Sequence, residues 1–303
     1  MGEIQDAVIV AAGLGTRMLP VSASIGKEAL PLVDVPGLFH LVWESLKSGC
    51  KRIHLVISPQ KKNFINMLKP SLGLIEELQR QVKNLPKEAI SPIPDDIEII
   101  THYQEAPRGL MDAIGCATKN IKGAFLVLLG DNLLIKDHKV PDKMNSEFGS
   151  TASLELVSKY KQYGRPVVGV KSVKEKSLPK YGVVKLEGEK IVDIIEKPNV
   201  ENAPSNLVLC GRYIFTSEMI NLMDTYTFEK FGELQSIVIQ RHCMEEEGGL
   251  LAVPLNEYQW YDSGNPLSWI KSQLDHAMRR DDIGIELTEW LLKRLDDENY
   301  GIN

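Results

Sequence analysis

Residues 8–20, with the sequence VIVAAGLGTRMLP, join an apolar run to a turn that contains two glycines. The apolar run predicts a buried strand of a parallel sheet that is covered on both faces. Glycines directly after such a strand often allow a phosphate group to approach the backbone. The alternative is a plain glycine turn between a strand and a helix.

Two common phosphate-binding motifs do not match this turn. A Walker A loop needs a hydroxyl residue after Gly-Lys, but Glu28 follows Gly26 and Lys27. A dinucleotide fingerprint needs a third glycine where Met18 stands. Arg17 remains, and a guanidinium can bind a phosphate through two parallel hydrogen bonds. With Lys27 as a second cation, the pattern favours a polyphosphate ligand.

The surrounding sequence alternates short apolar runs with longer stretches of helical spacing. This order predicts an α/β fold with a doubly wound sheet. The predicted strands are 7–12, 52–58, 97–103 and 124–131, and the predicted helices are 36–49 and 61–84.

The second half of the chain has a different pattern. Residues 181–198 form two alternating runs around a turn and predict a hairpin, and 206–216 and 250–256 predict further strands. No linker divides the halves, so we expect one catalytic domain with insertions. Apolar residues at helical spacing predict an amphipathic C-terminal helix that docks on the body or on another subunit. They are Ile283, Leu287, Trp290, Leu291 and Leu295.

Composition excludes several classes of protein. The chain has 303 residues, a net charge of −6 and no basic block, so nucleic acid is not an expected partner. No apolar run approaches the roughly 18 residues of a membrane span, and the polar N-terminus does not predict a signal peptide. The four cysteines lack metal-site or disulfide spacing. Reduced thiols in a cytoplasmic protein are therefore expected.

Seven motifs occur together in one order: AAGLGTRMLP…KEALPLVDVP, HYQEAPRGLMDAI, LLGDN, YGVV, IIEKP, APSNLVLCGRYIF and YDSGN. This set resembles the sugar-1-phosphate nucleotidylyltransferases, and most of all the bacterial UTP–glucose-1-phosphate uridylyltransferases. The resemblance implies a Rossmann-like, doubly wound mixed sheet with a hairpin insertion and a C-terminal helix. It also implies a nucleotidyltransferase domain over 1–280, with an NTP-binding part at about 1–135 and a sugar-phosphate part at about 136–280, followed by a helix in 281–303.

The resemblance assigns the triphosphate to the first glycine turn. Ala12, Gly13 and Gly15 would bind the nucleotide through the backbone. Arg17 and Lys27 would hold its phosphates and stabilise the departing pyrophosphate.

Other motifs imply the base and metal sites. Gln104 would contact the edge of the pyrimidine, and Gly109 would give the base room. Asp131 and Asp262 would hold Mg²⁺, which prefers oxygen ligands. Taken alone, each aspartate is equally well explained as a turn-forming residue.

The hairpin and the next strand would bind the sugar phosphate. Glu196 would accept hydrogen bonds from sugar hydroxyls, Lys197 would neutralise the phosphate, and Gly182 would let the backbone approach. Asn206 and Gly211 would close the pocket. The alternative for Glu196 and Lys197 is a solvated surface pair.

The implied reaction joins an NTP and a hexose 1-phosphate to give an NDP-hexose and pyrophosphate. Arg17, Lys27, Lys197 and Asp131 are the expected catalytic residues. The resembled family commonly forms oligomers, which implies a homodimer or homotetramer. Three alternatives stay open: a thymidylyltransferase or another NTP-sugar pyrophosphorylase, a glycosyltransferase, and a non-catalytic nucleotide-sugar sensor.

Three residues depart from the usual uridylyltransferase pattern. Gly26 replaces a proline before the lysine. Met111 and Asp112 stand in GLMDA where GLGHA is usual, and we expect both near the base and phosphates.

Overall fold

The computed structural model describes residues 2–82, 85, 87–141, 144, 147–223, 225, 235–245 and 249–296. Its strands are numbered here in chain order. They are β1 (Asp6–Ala11), β2 (Pro31–Leu32), β3 (Val35–Pro36), β4 (Arg52–Ile57), β5 (Glu98–Tyr103), β6 (Phe125–Leu129), β7 (Asn132–Ile135), β8 (Val167–Ser172), β9 (Gly182–Glu187), β10 (Lys190–Glu196), β11 (Leu207–Phe215), β12 (Leu251–Pro254) and β13 (Gln259–Asp262).

The main sheet has nine strands in the order β5-β4-β1-β6-β11-β8-β12-β10-β9. Its first four strands are parallel, as their continuous apolar character predicts. Successive side chains of β1 enter different cores, with Ala7 and Ile9 on one face and Val8 on the other. Both faces of this half are therefore buried, and the α/β prediction is confirmed.

A buried polar cluster lies at the start of this parallel half. Asp6 is 1% exposed and accepts two hydrogen bonds from Arg52, at 2.6 and 2.7 Å. His54 Nε2 lies 3.0 Å from the same carboxylate. Asp6 also faces Arg52 in the strand register, so the cluster ties β1 to β4 at one defined alignment.

The second half of the sheet is mixed. β11 is antiparallel to both β6 and β8, while β12 is parallel to β8. β9 and β10 form the predicted hairpin, in which Glu196 faces Gly182. Both halves thus contribute to one continuous sheet, as expected for a doubly wound fold with an insertion.

The helices cover this sheet. They are α1 (Val21–Ser24), α2 (Gly37–Lys47), α3 (Asn63–Leu68), α4 (Leu72–Gln81), α5 (Lys87–Ile90), α6 (Leu110–Thr118), α7 (Ala152–Tyr163), α8 (Ser217–Met223), α9 (Ile237–Glu245), α10 (Pro266–Met278) and α11 (Gly284–Asp296). Short 3₁₀ turns lie at Thr16–Met18, Lys27–Ala29, Pro59–Lys61, Glu175–Lys180 and Val200–Asn202.

The prediction of one helix over 61–84 is wrong. The segment forms a 3₁₀ turn and then α3 and α4, and 83–84 lie outside the described residues. Proline has no backbone N–H and disfavours helical geometry in the residue before it, so Pro70 ends the first helix. Ser71 then caps α4 by accepting a hydrogen bond from Leu74 N.

The predicted C-terminal helix is present as α11, and 297–303 lie outside the described residues. Ile283, Leu287 and Leu291 are half-buried, whereas Trp290 is 53% and Leu295 63% exposed. The helix packs against α10, so part of its apolar stripe is covered by its own chain and part faces outward. No helix in the described part of the chain is long and apolar enough to span a membrane.

Two buried histidines lie beneath this helical layer. His40 and His276 are 8% and 3% exposed, and their ring centroids are 6.1 Å apart. Among the described residues, His40 Nε2 and His276 Nδ1 have no hydrogen-bond partner. Burial lowers the pKa of His40 to about 3 and that of His276 to about 4, so both rings are neutral in the fold.

Candidate active site

The glycine turn after β1 leads into a 3₁₀ turn that carries Arg17. Gly15 adopts the left-handed region with φ 66°, where L side chains are strained. Ser22 donates a 2.8 Å hydrogen bond to its carbonyl and closes the loop. The side chain of Arg17 is exposed to solvent.

A buried lysine that sequence reasoning missed supports the same turn. Lys61 is 8% exposed, and its Nζ donates to Ala11 O at 2.7 Å, Gly13 O at 2.6 Å and Glu28 Oε2 at 2.6 Å. Burial lowers the pKa of Lys61 and raises that of Glu28, although each charge partly offsets the shift of the other. All three ammonium protons of Lys61 are donated in hydrogen bonds, two of them to backbone carbonyls, so Lys61 fixes the backbone of the turn from its buried side.

Lys27 lies beside the glycine turn and forms an ion pair with Asp131. Burial works against its charge, but the carboxylates of Asp131, Glu28 and Asp262 outweigh burial and raise the pKa of Lys27 above the usual lysine value. Lys27 is therefore a cation held among carboxylates beside the glycine turn.

Asp131 and Asp262 come from distant parts of the sequence and meet through a small second sheet. β7 and β13 pair with Asp262 opposite Asn132, the residue after Asp131, and Ser263 N donates to Asp131 O at 3.1 Å. Burial, reinforced by the charge of Asp131, raises the pKa of Asp262 above its ordinary value. The two carboxylates thus lie close enough to interact electrostatically.

Asp262 and Arg17 both lie against Gly264, in the loop after β13. Asp262 Oδ1 accepts a 2.6 Å hydrogen bond from Gly264 N. A Cβ at position 264 would lie 2.7 Å from that oxygen and 3.4 Å from Arg17 Nη2. The loop after β13 therefore brings the second carboxylate and the first arginine together.

The two carboxylates fit a divalent metal that shares its ligands with a substrate. Mg²⁺ is usually held by one or two carboxylates, with phosphate oxygens and waters completing its shell. In the described part of the chain, no third histidine, cysteine or acidic residue joins them in a metal-binding group. Two carboxylates are therefore the protein ligands that a divalent cation could use here.

Gln104 follows β5 and lies at the other end of the same site. It is 8% exposed, and its Nε2 donates to Gly109 O at 3.0 Å and to Asp112 Oδ2 at 2.7 Å. Gly109 has φ 111° and ψ 174° at the start of α6, a conformation almost confined to glycine. A loop glutamine alone would be expected in solvent, so its burial is a finding of the structure.

One open cleft of about 270 Å³ joins these groups. It lies beyond the carboxyl ends of β1, β5 and β6, where α/β sheets bind ligands. The predicted residues that line it are Ala12, Gly13, Lys27, Gln104, Gly109 and Asp131. Gly15, Arg17 and Asp262 lie beside this cleft rather than in its lining.

The predicted sugar-binding residues form a second group on the hairpin. Lys197 directly follows β10 and has φ 46°, which is unusual for a lysine and often marks a functional position. Its Nζ lies 3.5 Å from Glu196 Oε1, and the two side chains are 58% and 35% exposed. Across the hairpin, a Cβ at position 182 would lie 3.1 Å from Glu196 Oε2, so Gly182 gives that carboxylate room.

Aromatic and amide groups connect the hairpin to the carboxylates. The rings of Tyr181 and Trp260 are 4.9 Å apart, and Trp260 Nε1 donates to Asn132 Oδ1 at 2.7 Å. Asn132 Nδ2 in turn donates to Asp131 Oδ1 at 3.1 Å. Burial together with the charges of Asp262 and Asp131 raises the pKa of Tyr181. A chain of contacts thus links Tyr181, directly before β9, to Asp131 beside the cleft.

The two remaining predicted pocket residues lie in β11 and directly before it. Gly211 is buried, and a Cβ there would lie 3.1 Å from both Asn132 Nδ2 and Leu129 Cβ. It therefore packs behind the site rather than lining it. Asn206 is exposed directly before β11, and its carbonyl accepts a hydrogen bond from Val173 N.

A buried ion pair supports this region from the core. Arg212 is 0% and Glu44 2% exposed, and two hydrogen bonds of 2.7 and 2.8 Å join them. Arg212 also donates to Asn132 O at 2.9 Å. It thereby fixes the backbone of the residue that follows Asp131.

The three departures from the family pattern have separate explanations. A Cβ at position 26 would lie 2.5 Å from the buried Phe64 ring, so Gly26 makes room for α3. Met111 is 3% exposed in the core, so the expectation that it lies near the base is wrong. Helical periodicity turns it inward, whereas Asp112 points to Gln104.

A family model described as nucleotidyl transferase matches residues 6–278. The chain belongs to this family. Among its relatives, the UTP–glucose-1-phosphate uridylyltransferase of Bacillus subtilis is 30% identical over 295 residues, covering 95% of each chain.

Solved structures of other nucleotidyl transferases are similar along almost the whole chain. The UTP-bound UGPase from Acinetobacter baumannii has a TM-score of 0.79 and 27% identity, with 96% of this chain and 99% of that chain covered. A UDP-glucose pyrophosphorylase complexed with UDP-glucose has a TM-score of 0.72 and 27% identity, with 90% and 98% covered. The predicted family and fold are therefore confirmed.

Proposed function

We propose that this nucleotidyl transferase converts UTP and glucose 1-phosphate to UDP-glucose and pyrophosphate. The observation that carries the proposal is the meeting of Gly13, Lys27, Gln104, Gly109 and Asp131 around one cleft. These residues supply backbone groups and a cation for phosphates, an amide for a base and a carboxylate for a metal. The names of the relatives supply the specific substrates.

The nucleotide would lie along the cleft with its phosphates at the glycine turn. Ala12, Gly13 and Gly15 would offer backbone contacts, while Arg17 and Lys27 neutralise the triphosphate. The same two cations stabilise the pyrophosphate as its negative charge develops. Lys27 is held by its ion pair with Asp131, and a preorganised cation suits this role because it need not rearrange during the reaction.

Asp131 and Asp262 would hold Mg²⁺ together with the phosphates. The metal supplies charge neutralisation at the α-phosphate when it is bound. Asp131 already forms an ion pair with Lys27, so its carboxylate would lie beside two positive charges, the ammonium of Lys27 and the metal. Gly264 N holds one oxygen of Asp262 in a fixed direction.

The hairpin would position the attacking group. Lys197 would bind the phosphate of glucose 1-phosphate, and Glu196 would accept hydrogen bonds from the hexose hydroxyls. Gly182 would let the backbone approach the sugar, and Gly211 would support the sugar site by packing behind it. A phosphate oxygen of the sugar forms a bond to the α-phosphorus as the bond to the pyrophosphate oxygen breaks. Since a phosphate monoester has a second pKa of about 6, it is already ionised at neutral pH and needs no protein base. Positioning and charge neutralisation account for the catalysis.

The base site gives an expected substrate order. Uracil and thymine share the ring edge that Gln104 would contact, and one methyl group changes binding by about 1–3 kcal/mol. We expect UTP to be preferred, with dTTP as a side substrate and purine nucleotides poor.

The two parts of the nucleotidyltransferase domain would bind different substrates. Residues 1–135 would bind the NTP, 136–280 would bind the sugar phosphate, and Asp262 would reach back to the first part. No disulfide joins the four cysteines, all of which the structure describes, and this suits the reducing cytoplasm.

We extend the proposal to a homodimer or homotetramer in which the C-terminal helices take part. Large apolar side chains are exposed on α10 and α11, and such patches usually need a partner surface. They include Leu267, Ile270, Ile285, Trp290, Leu292 and Leu295. Light scattering of Trp290→Glu should show a lower mass than the parent protein, while Leu72→Glu should not, although Leu72 on α4 is even more exposed than Trp290. A monomeric parent protein rejects this part of the proposal.

The activity is tested by pyrophosphate release from four NTPs, each combined with several sugar 1-phosphates. UTP with glucose 1-phosphate should give the highest kcat/KM, and omission of the sugar phosphate should abolish release. Arg17→Ala should impair use of UTP and, in the reverse direction, of pyrophosphate, with a smaller effect on glucose 1-phosphate. Absence of release with every pair would leave a non-catalytic sensor, and preference for GTP or ATP would contradict the base site.

A further inference from the structure

Both N–H groups of the Gln104 amide are occupied inside the protein. One hydrogen bond goes to the backbone oxygen of Gly109 at 3.0 Å, and the other goes to the Asp112 carboxylate at 2.7 Å. Among the described residues, no donor bonds to Gln104 Oε1, although the residue lines the cleft. The amide therefore has its oxygen left for a ligand.

The orientation of this amide follows from its surroundings. Turning it over would place Oε1 at hydrogen-bond distance from two other acceptors, the Gly109 carbonyl and the Asp112 carboxylate. A carboxylate accepts only, and hydrogen bonds to charged groups are among the stronger ones. Asp112 is thus the group that makes the amide present its oxygen rather than its nitrogen.

The position of Asp112 is itself fixed. It lies in the first turn of α6, where an acidic side chain interacts favourably with the helix dipole. Gly109, which supplies the other acceptor, directly precedes the same helix. Both partners of the amide therefore lie at the N-terminal end of α6.

We propose that Asp112 is a positioning residue that sets which pyrimidine the enzyme accepts. The inference rests on the proposed function, in which Gln104 contacts the base. Uracil has an N–H at ring position 3 and can donate it to Gln104 Oε1. Cytosine has a lone pair there and meets the same oxygen as a second acceptor. Asp112 thus acts through Gln104 to select uracil over cytosine.

Nucleotide binding tests this selection without requiring turnover. Calorimetric titration with UDP and CDP in the presence of Mg²⁺ gives the ratio of their dissociation constants for each variant. Asp112→Leu removes the acceptor and frees the amide to turn, so the preference for UDP should fall by about tenfold or more. Asp112→Asn can still offer an oxygen to Nε2 and should retain most of the preference.

A second pair of variants separates positioning from a general structural effect. In a Gln104→Leu background, Asp112→Leu should leave the UDP-to-CDP ratio unchanged, because the amide through which it acts is gone. If Asp112→Leu does not fold, Asp112→Ala replaces it in both backgrounds.

The outcomes distinguish this inference from the proposed function. An unchanged ratio in Asp112→Leu, or the same change in the Gln104→Leu background, overturns the role of Asp112. Wild-type protein that makes UDP-glucose but binds UDP and CDP equally also overturns it. Wild-type protein that prefers UDP but releases no pyrophosphate contradicts the proposed function and leaves the selection by Asp112 in place.

Discussion

Replacement of Lys61 by methionine should destabilise the fold and loosen the glycine turn. The substitution keeps most of the side-chain length but removes an ammonium that makes three hydrogen bonds. It leaves the Glu28 carboxylate, 2% exposed, without its main partner and deprives the carbonyls of Ala11 and Gly13 of a donor. Breaking a buried ion pair on one side costs about 3–5 kcal/mol, and we expect a loss in that range.

Urea denaturation followed by circular dichroism measures the change in the free energy of unfolding. Lys62→Met is the matched control, because the neighbouring lysine is exposed and should cost within about 0.5 kcal/mol. Adding Glu28→Gln to Lys61→Met should restore at least about 1 kcal/mol, since it removes the uncompensated charge. Under the proposed function, in which the turn binds the nucleotide, the single variant should also raise KM for UTP more than KM for glucose 1-phosphate.

A loss below about 1 kcal/mol in Lys61→Met would refute the reasoning. So would an equal loss in Lys62→Met, which would show that the buried hydrogen bonds of Lys61 do not matter. A further loss on adding Glu28→Gln would contradict the assigned ion pair.

Three further predictions concern other groups. Asp131→Asn and Asp262→Asn should each lower kcat by about 10²-fold or more with an unchanged circular dichroism spectrum; activity retained in both, or in excess EDTA, argues against a two-carboxylate metal site. Lys197→Ala should raise KM for glucose 1-phosphate far more than KM for UTP, and equal effects on the two substrates would contradict its assignment. His40 and His276 have folded-state pKa values of about 3 and 4, so the unfolded chain binds more protons below pH 6.5, and stability falls as the pH falls. The two together should lower the free energy of unfolding by about 2 kcal/mol between pH 6 and pH 5, and His40→Phe should roughly halve that slope in urea titrations at several pH values; an unaltered slope in the variant would show that His40 takes no part.

The parallel half of the fold could be predicted because its signals are local. Continuous apolar runs such as 52–58 predict strands buried on both faces, and the hairpin at 181–198 has its own alternation and turn. The error at 61–84 is also local, since Pro70 was present in the sequence and its effect on Lys69 is general. Closer attention to that proline predicts the break.

The supporting residues of the site could not be predicted in the same way. Lys61 and Glu28 are 33 residues apart, and Glu44 and Arg212 are 168 residues apart. Nothing in a single sequence indicates that two ordinary charged residues are buried against each other, because the pairing depends on the tertiary fold. In the sequence Asp112 stands out only as a departure from a motif, and its contact with Gln104 depends on the tertiary fold. The roles of the individual site residues stay predictions.

The polar cluster around Asp6 has a consequence for how the chain finds its alignment. A strand that is apolar on both faces loses little burial if it shifts by one residue, so hydrophobicity alone specifies its alignment weakly. Such a shift of β1 would carry the glycine turn about 3.3 Å along the sheet, away from Lys61. Asp6, with Arg52 and His54, penalises the misaligned pairing at the far end of the strand. Asp6 thus helps to fix the alignment of β1, on which the position of the glycine turn depends, and any redesign of this sheet has to keep it.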